Sequence, residues 1–483
     1  MNDFERILGI SFPKGIKISH VTNTSKKAKK DSIFFGLKGT KDHGSKYIDE
    51  AIKLGASIAV HNDEDYKYNS ERVFYIKDLE EPIKGSKTKI YQFLETFYQM
   101  PRDFKPAYYG FTGTNGKSSA AFLCHQLIRK IKPNSLYVGT LGFQYNNEEF
   151  NSTISSKTTP DIFELFEIFS VCKFNISDIS IEVSSHALDQ DRLKDIRFLY
   201  SAILNIEIDH LDYHKNINEY AKAKFKILNM TDGDVAVNDQ ISIKHKDYLD
   251  NCDGPFKLIS VGDNDLSDIT FNILESDIYK TKFTITNGDT VEYTSSLFPK
   301  FNVNNLVFAL LPMMKDPFFL TDNINDLSFL KLPKGRTEII AGLDANIIID
   351  YAHNPNGIKF FLESIKDYFD NLIVVLGCGG DRDKSKRSDM LKIAIENSEK
   401  VIFTSDNPRN ESFDSIYSDA SRGNNIDNVK DIEDRKKAII YGSKLIGDND
   451  CLVILGKGHE ETQEVNGKFI HFSDHEVVNE IYK

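Results

Sequence analysis

Runs of apolar residues along this chain end repeatedly in short polar loops rich in Gly, Asp, Asn, His or Arg. In the C-terminal part this arrangement occurs four times, at residues 347–353, 372–376, 401–404 and 452–455. Each run has the length of a strand, and its polar residues follow the carboxyl end. The pattern predicts a doubly wound parallel sheet whose ligands bind beyond the carboxyl ends of the strands.

The rest of the chain also alternates strand-like and helix-like segments. Residues 32–37 and 57–60 predict strands, with a helix at 46–54 between them, and further strands are predicted at 178–184 and 200–205. A chain of 483 residues is too long for one core. We therefore predict an α/β protein of three domains, at residues 1–86, 87–332 and 333–483.

The clearest motif lies between an aromatic, strand-like run and a helical run of small and apolar residues. The turn between them is Gly113-Thr114-Asn115-Gly116, and Lys117-Ser118 opens the helix. In such a turn the backbone N–H groups face inward, the lysine reaches the outer phosphates of a nucleotide and the serine hydroxyl can bind Mg²⁺. Phe111 replaces the first glycine of the longer Walker pattern. The motif predicts a short phosphate-binding loop, and a strand, turn and helix without chemistry is the alternative.

Polar residues after the central strands suggest a metal site. Glu182 lies in a run of Ile and Val, where a carboxylate is costly unless it is paired or binds a metal. We favour Mg²⁺ over a core salt bridge because the phosphate loop lies upstream. Residues 209–214 contain two acids and two histidines, which suits metal or phosphate chemistry, although a hydrogen-bonded loop would also explain them.

Three lysines alternate along the helix predicted at residues 218–228. They are Lys222, Lys224 and Lys226. Residues two apart on a helix point to nearly opposite sides, so at most one or two of the three can face the site. Composition does not choose between them.

Composition does narrow the class of partners. The formal net charge of −12 argues against a nucleic acid or an acidic membrane as the main partner. The five cysteines show no Cys-x-x-Cys spacing, which is typical of reduced thiols in the cytosol. Neither a signal peptide nor a long apolar segment is recognisable. We therefore expect a cytoplasmic protein that acts on small molecules.

Five motifs occur in a fixed order along the chain. They are Thr112–Ser118, Glu182–His186, Asp209–His214, Gly335–Glu338 and Asp350–Pro355. Together they resemble the Mur ligase family, the ATP-dependent amide-forming enzymes of peptidoglycan precursor synthesis. The resemblance spans nearly the whole chain and implies a UDP-binding N-terminal α/β domain, a central P-loop ATPase-type domain with a parallel sheet, and a C-terminal Rossmann-like domain that binds an amino acid.

The resemblance also implies roles for individual residues. Lys117 would neutralise the phosphates, Ser118 and Glu182 would hold one Mg²⁺, and His210 would help to hold another. The family's carbamylated lysine would be Lys224, which follows the pattern Tyr-x-x-Ala-Lys. The remaining ATP contacts would be Gly113, Thr114, Asn115, Gly116, Asn302, Arg336, Asp350, His353 and Asn354. Contacts to the nucleotide-sugar peptide would be Thr24, Thr40, Asp42, His43, Thr158, Thr159, Ser184, Gln190 and Arg192.

Two loops of the last domain are similar to those of the family member that adds meso-diaminopimelate. The loops are Asp406–Arg409 and Gly456–Glu460. The resemblance implies that Arg409 binds the distal carboxylate and Glu460 an ammonium group, with further contacts from Arg382, Asp406, Asn407 and Gly456. The chemistry agrees, because a guanidinium binds a carboxylate through two hydrogen bonds and L-lysine has no distal carboxylate. Arg409 as a surface ion-pair partner is the alternative.

The implied substrates are ATP, UDP-N-acetylmuramoyl-L-Ala-D-Glu and meso-diaminopimelate, and we expect a monomer. One departure concerns Asn23-Thr24-Ser25, where relatives usually have Asp-Ser-Arg, so a cation is missing on the uridine-diphosphate side. The alternatives are the L-lysine-adding ligase of the same family, a folate polyglutamate synthase, and a nucleotide-binding switch or scaffold. Arg409 argues against the first, the Asp406–Arg409 loop against the second, and the additional ligand loops against the third.

Overall fold

The computed structural model describes residues 2–39, 42–68, 70–82, 87–150, 154, 157–209, 211–315, 319, 324–340 and 345–482. The chain forms two compact units. The first comprises Met1–Lys117 and Ile128–Ser260, and the second comprises Ser118–Leu127 and Val261–Lys483. Helix α4 (Lys117–Ile131) contributes residues to both.

The strands and helices of the first unit alternate along the chain. Its strands are β1 (His20–Thr22), β2 (Ser32–Gly36), β3 (Ala56–His61), β4 (Val73–Tyr75), β5 (Ala107–Thr112), β6 (Ser135–Gly139), β7 (Gly142–Tyr145), β8 (Glu148–Phe150), β9 (Asp178–Glu182), β10 (Phe198–Ile203), β11 (Thr231–Asn238) and the start of β12 (Lys257–Gly262). Its other helices are α1 (Asp3–Leu8), α2 (Ile48–Lys53), α3 (Lys89–Phe97), α5 (Ile162–Val171), α6 (Ser185–Asp189), α7 (Leu211–His214), α8 (Ile217–Phe225), α9 (Asp239–Lys244) and α10 (Lys246–Asp250), with short 3₁₀ helices at Ser25–Lys27, Gly44–Tyr47 and Leu228–Met230.

Two sheets organise the first unit. Strands β1 to β4 form a parallel sheet in sequence order. In the larger sheet the strands lie in the order β8-β7-β6-β9-β5-β10-β11, parallel from β6 onward. Phe111 of β5 lies opposite Glu182 of β9, and Thr112 lies opposite Ile203 of β10. The carboxyl ends of these three strands therefore meet at one edge, where ligands of parallel sheets bind.

Close packing fixes the position of the central strands. Gly110 of β5 lies against the ring of Phe198, and an added Cβ would come within 2.8 Å of that ring. Strands β5 and β9 are almost wholly buried, as expected of parallel strands covered on both faces.

The second unit contains the sheet predicted from the four apolar runs. Its strands are β13 (Ile269–Ser276), β14 (Thr281–Asn287), β15 (Asp289–Ser295), β16 (Glu338–Ile339), β17 (Asn346–Asp350), β18 (Leu372–Cys378), β19 (Lys400–Ser405), β20 (Val429–Asp431), β21 (Cys451–Leu455), β22 (Thr462–Val465) and β23 (Lys468–His471). Its helices are α11 (Lys300–Leu310), α12 (Pro355–Ile365), α13 (Ser385–Glu396), α14 (Phe413–Ser421), α15 (Arg435–Ser443) and α16 (Asp474–Ile481), with 3₁₀ helices at Met313–Lys315 and Lys366–Tyr368.

The main sheet of the second unit has the order β16-β17-β21-β18-β19-β20 and is parallel apart from β16. Strands β13 to β15 pair antiparallel, and β22 and β23 form a separate hairpin. These observations confirm the predicted α/β class. No helix in the described ranges is long and apolar enough to span a membrane.

Candidate active site

The phosphate-binding loop joins β5 to α4. Gly116, with a φ of 84°, immediately precedes the helix in the left-handed region that favours glycine. The Lys117 ammonium donates hydrogen bonds to the carbonyl oxygens of Gly113 (2.9 Å) and Thr114 (2.8 Å). Phe111 is fully buried in the strand. The position that a longer Walker loop gives to glycine is here part of the core, so the loop has the short form.

Asn205 and Glu207, which the sequence analysis did not assign to the site, brace this loop. The Asn115 N–H donates to Oδ1 of Asn205 at 2.8 Å, and the Glu207 N–H donates to the Thr114 hydroxyl at 2.9 Å. The Asn115 amide also donates to the Glu207 carboxylate at 3.2 Å. Burial raises the pKa of Glu207. The available signal was the position of both residues just after β10, the strand beside β5.

Glu182 ends strand β9 and is fully buried. Its Oε1 accepts hydrogen bonds from the Tyr137 hydroxyl (2.5 Å) and the Thr140 N–H (2.9 Å), and its Oε2 accepts from the Thr140 hydroxyl (3.1 Å). Gly139 provides the room, because an added Cβ would lie 2.0 Å from Oε1. The carboxylate is therefore held in one orientation.

The oriented carboxylate of Glu182 is a ligand that fits Mg²⁺. Proteins bind Mg²⁺ through one or two carboxylates together with substrate phosphates rather than through all-protein cages. Among the described residues no group of three or more His, Cys, Asp or Glu is placed to hold a metal. Ser118 lies in the first turn of α4 and is buried. The predicted ligand His210 lies outside the described residues.

Lys224 is the helix lysine that reaches the phosphate loop. It is 1% exposed, and its ammonium donates to the carbonyl oxygen of Gly113 at 2.7 Å. Lys222 instead pairs with Glu219 at the surface, and Lys226 lies beside Asp189. Burial, with the nearby positive charge of Lys117, holds the pKa of Lys224 well below its usual range. The Lys224 amine therefore loses its proton more readily than an exposed lysine does.

The predicted nucleotide-sugar residues of the central region form one hydrogen-bonded group. Thr159 donates to the Glu182 carbonyl oxygen at 2.8 Å and lies 3.2 Å from the Ser184 hydroxyl. Arg192 donates to the Thr159 carbonyl oxygen at 2.9 Å and to the Gln190 amide oxygen at 2.7 Å. The Thr158 hydroxyl accepts from the Thr140 hydroxyl at 3.2 Å. This group therefore contacts the backbone of Glu182 and also Thr140, which donates hydrogen bonds to the Glu182 carboxylate.

The predicted nucleotide-sugar residues of the N-terminal region share fewer contacts than those of the central region. Thr24 is exposed, and its neighbour Asn23 donates to the Asp161 carboxylate at 3.1 Å. His43 caps a 3₁₀ helix by accepting from the Ser45 N–H at 3.1 Å. Asp42 pairs with Lys46. The predicted residue Thr40 lies outside the described residues.

Two of the predicted nucleotide residues of the second unit, Asp350 and Arg336, lie near each other at the end of β17. This buried carboxylate accepts from the N–H groups of Thr337 (2.6 Å) and Ala352 (2.8 Å), and burial raises its pKa. The Arg336 guanidinium stacks 4.3 Å from the Tyr351 ring centroid. Its Nε is buried and has no hydrogen-bond partner in the described part of the chain.

Three further residues predicted to contact the nucleotide lie on α11, on the loop after β17 and at the start of α12. Asn302 is buried on α11 and donates to the Phe298 carbonyl oxygen at 2.9 Å. His353 is exposed, and Asn354 caps α12 by accepting from the Gly357 N–H at 2.8 Å.

The amino-acid loops follow β19 and β21. Asp406 is half-buried with its Oδ2 out of contact with solvent, and desolvation of this carboxyl raises its pKa. Gly456 has a φ of 107°, and an added Cβ would lie 2.7 Å from Oδ2 of Asp406. The Asn407 amide donates to the Glu460 carboxylate at 3.0 Å. The two loops are therefore in direct contact, as their predicted common role requires.

Two cations in this region are paired with carboxylates. Lys457, fully buried, lies 2.9 Å from Glu460, and Nε of Arg409 lies 2.8 Å from Glu464. Arg382 is exposed and makes no hydrogen bond within the described residues. The sequence did not predict Lys457 or Glu464 as site residues, and no local motif distinguishes Glu464 from an ordinary strand residue.

Three family descriptions match the chain in order. "Mur ligase family, catalytic domain" matches residues 17–95, "Mur ligase middle domain" matches 111–313, and "Mur ligase, glutamate ligase domain" matches 335–458. These matches confirm the resemblance found in the motifs.

The similarity to individual proteins extends over nearly the whole chain. The UDP-N-acetylmuramoyl-L-alanyl-D-glutamate--2,6-diaminopimelate ligase of Rickettsia typhi is 32% identical, over 96% of this chain and 93% of the relative. A solved structure of a ligase of the same name has a TM-score of 0.66 at 25% identity, covering 99% of this chain and 98% of the other. The MurF ligase from Thermotoga maritima in complex with ADP has a TM-score of 0.60 at 14% identity, over 100% and 98% of the two chains, and shows the shared fold.

Proposed function

The chain belongs to the Mur ligase family, and we propose that it is the ATP-dependent ligase that joins meso-diaminopimelate to UDP-N-acetylmuramoyl-L-Ala-D-Glu. The observation that carries the proposal is the 32% identity, over 96% of the chain, to a relative named for this reaction. The Asp406–Arg409 and Gly456–Glu460 loops, which contact each other, support the choice of amino acid.

The first chemical step would activate the substrate acid. The γ-carboxylate of D-glutamate attacks the γ-phosphorus of ATP, so that an acyl phosphate forms and ADP leaves. The backbone of residues 113–116 would bind the phosphates, and Lys117 would offset the repulsion between the two anions. In this family ATP is used with Mg²⁺, which would be held by Ser118, Glu182 and His210 and would neutralise developing charge on the phosphate oxygens.

The second step would form the amide bond. The diaminopimelate amine attacks the acyl carbonyl, loses a proton and expels phosphate through a tetrahedral intermediate. Arg409 would hold the distal carboxylate and Glu460 the distal ammonium. Arg382, Asp406, Asn407 and Gly456 would complete this site, so that the protein contributes mainly positioning and electrostatic stabilisation.

The other substrate contacts that we propose are those that the family resemblance implies. We propose that Thr158, Thr159, Ser184, Gln190 and Arg192, with Thr24, Thr40, Asp42 and His43, bind the nucleotide-sugar peptide. Asn302, Arg336, Asp350, His353 and Asn354 would bind the adenine, ribose and phosphate of ATP. The orphaned Nε of Arg336 supports this, because a buried donor without a partner is costly unless a ligand satisfies it.

Carbamylation of Lys224 is part of the proposal. A lysine carbamate forms when a neutral amine attacks CO₂ and releases a proton, and the lowered pKa of Lys224 favours that neutral amine. Exposure to ¹³C-bicarbonate should give a carbamate carbon signal that is absent from Lys224→Ala. A signal that persists in Lys224→Ala, or the lack of any signal in the wild type, would contradict the assignment.

We also propose that the three functional domains lie at residues 1–86, 87–332 and 333–483, that the enzyme is a monomer, and that it works in the cytoplasm. The order of the three family matches supports the domains. The five cysteines are free thiols, which is typical of a reducing compartment. Light scattering after gel filtration tests the monomer.

The central experiment measures phosphate release with ATP and UDP-N-acetylmuramoyl-L-Ala-D-Glu, adding meso-diaminopimelate or L-lysine in parallel. Release that requires diaminopimelate supports the proposal. Release with L-lysine alone would keep the family and contradict the amino acid, and release that needs neither amine would contradict the ligase reaction.

A further inference from the structure

Arg409 already forms an ion pair with one carboxylate of the protein. Its Nε–H donates to Oε2 of Glu464 at 2.8 Å, and its Nη1 donates to the carbonyl oxygen of Gly380 at 2.8 Å. The Nη2 group makes no hydrogen bond with any residue that the structure describes. The two side chains are 19% and 26% exposed, so the pair is only partly screened by water.

The backbone fixes Glu464 opposite Arg409. The Arg409 N–H donates to the Glu464 carbonyl oxygen at 3.0 Å, and the Asn466 N–H donates to the Arg409 carbonyl oxygen at 2.8 Å. The Glu464 N–H donates to the Asn407 side chain at 2.9 Å. Arg409 is itself in the left-handed region, with a φ of 52°. Because several bonds hold both residues in register, their ion pair is built into the loop and the hairpin β22–β23.

We propose that Glu464 determines how strongly this site prefers a diacid, by sharing the Arg409 guanidinium with the distal carboxylate of the substrate. The inference rests on the proposed function. With Glu464 on Nε, a substrate carboxylate can reach the Nη2 side, and two negative charges then share one cation. Charges about 5 Å apart in a partly exposed site repel enough to change binding severalfold. Glu464 therefore weakens the binding of diaminopimelate but does not weaken the binding of a ligand that has no distal carboxylate.

Glu464→Gln tests this directly, because glutamine keeps the size and an acceptor for the Arg409 Nε–H but removes the charge. We expect the KM for meso-diaminopimelate to fall about fivefold and kcat to stay within about twofold. The inhibition constant of L-lysine as a competitor should not fall, because L-lysine has no distal carboxylate for Glu464 to repel. Glu461→Gln is the matched control, because Glu461 begins the same hairpin region and pairs with Lys334 instead.

A second measurement separates charge sharing from a structural role. Amidation of the distal carboxylate removes the repulsion from Glu464, so the ratio of KM for the amidated compound to KM for diaminopimelate should be about fivefold larger in Glu464→Gln than in the wild type. An unchanged ratio, or an unchanged or raised KM for diaminopimelate, would overturn the inference while wild-type turnover leaves the proposed function intact. If the wild type shows no diaminopimelate-dependent turnover, the proposed function fails first and the inference falls with it.

Discussion

The two sets of ligand loops treat their cations differently. At the phosphate loop, the Lys117 ammonium donates to the main-chain carbonyl oxygens of Gly113 and Thr114. At the amino-acid loops, Lys457 and Arg409 are paired with Glu460 and Glu464. A carbonyl oxygen orients an ammonium group without cancelling its charge, whereas a carboxylate cancels it.

The difference matches the ligands that we propose. A nucleoside triphosphate is strongly anionic, so its site must present positive charge and backbone N–H groups. A diamino diacid carries equal numbers of positive and negative groups, so its site gains specificity from paired charges of both signs rather than from a net field. Each prediction below changes one charge or its support on one side of this contrast.

Removing the cation of the phosphate loop should have the largest effect. Lys117→Ala deletes the charge that offsets repulsion between two anions, so we expect kcat to fall by roughly 10³-fold. Lys222→Ala is the matched control, because Lys222 lies at the surface in an ion pair with Glu219 and should stay within about twofold. Phosphate release measures both, and near-normal turnover of Lys117→Ala would refute the assigned site.

A substitution at Gly139 tests whether the orientation of the buried Glu182 carboxylate matters for Mg²⁺ binding. In Gly139→Ala the added Cβ would lie 2.0 Å from Oε1 of Glu182 and 2.4 Å from the Tyr137 hydroxyl, so the carboxylate must move. Supporting contacts of metal ligands are worth about 10- to 100-fold in metal affinity, and we expect the Mg²⁺ concentration for half-maximal activity to rise by that factor.

The control for that change is Gly447→Ala. Its added Cβ would meet nothing closer than the Asp450 carboxylate at 3.4 Å, so its Mg²⁺ dependence should match the wild type. If both variants shift alike, or neither does, Glu182 is not held for a metal by this packing.

The same contrast explains what the sequence could predict. The phosphate loop is local, because its turn, its lysine and its helix are consecutive, and the structure has the expected short form. The parallel sheet of the second unit could be predicted equally well, since each of its predicted strands is a continuous apolar run followed by a polar loop. Boundaries were less exact, and the helix predicted at 46–54 is a 3₁₀ turn at Gly44–Tyr47 followed by α2 at Ile48–Lys53.

Pairings between distant segments could not be predicted from the residues alone. Glu207 braces Asn115 from 92 positions away, and Glu464 meets Arg409 across 55 positions. Neither pairing has a spacing rule, because it depends on which strands are neighbours. The choice among Lys222, Lys224 and Lys226 likewise depends on where α8 packs, and only the resemblance pointed to Lys224.

On the amino-acid side, Arg409→Lys should have a moderate effect. Lysine keeps the charge but loses the planar set of donors, so one of two hydrogen bonds to the distal carboxylate is lost. We expect the KM for meso-diaminopimelate to rise about tenfold with the KM for ATP unchanged. Arg422→Lys is the matched control, because the exposed Arg422 pairs with Asp419 rather than with a residue of the proposed site. A larger loss in kcat than in KM would mean that Arg409 does not act through substrate binding.

Substitution of His459 tests how a titratable group of the amino-acid loops affects the stability of the fold. We expect it to have the smallest effect of these substitutions. Burial, with Arg336 nearby, lowers its pKa from 6.5 to about 4. The unfolded chain therefore binds more protons than the folded one between these two values, and the free energy of unfolding falls as pH falls from 6.5 to about 4. The contribution is at most about 1.4 kcal/mol for each pH unit. His459→Gln removes this term, so urea denaturation at several pH values should show the difference between variant and wild type shrinking as the solution is acidified. Because carboxyl groups with raised pKa values, such as those of Asp350 and Asp406, also titrate, only that difference is diagnostic. A difference independent of pH would show that His459 does not carry the predicted charge penalty.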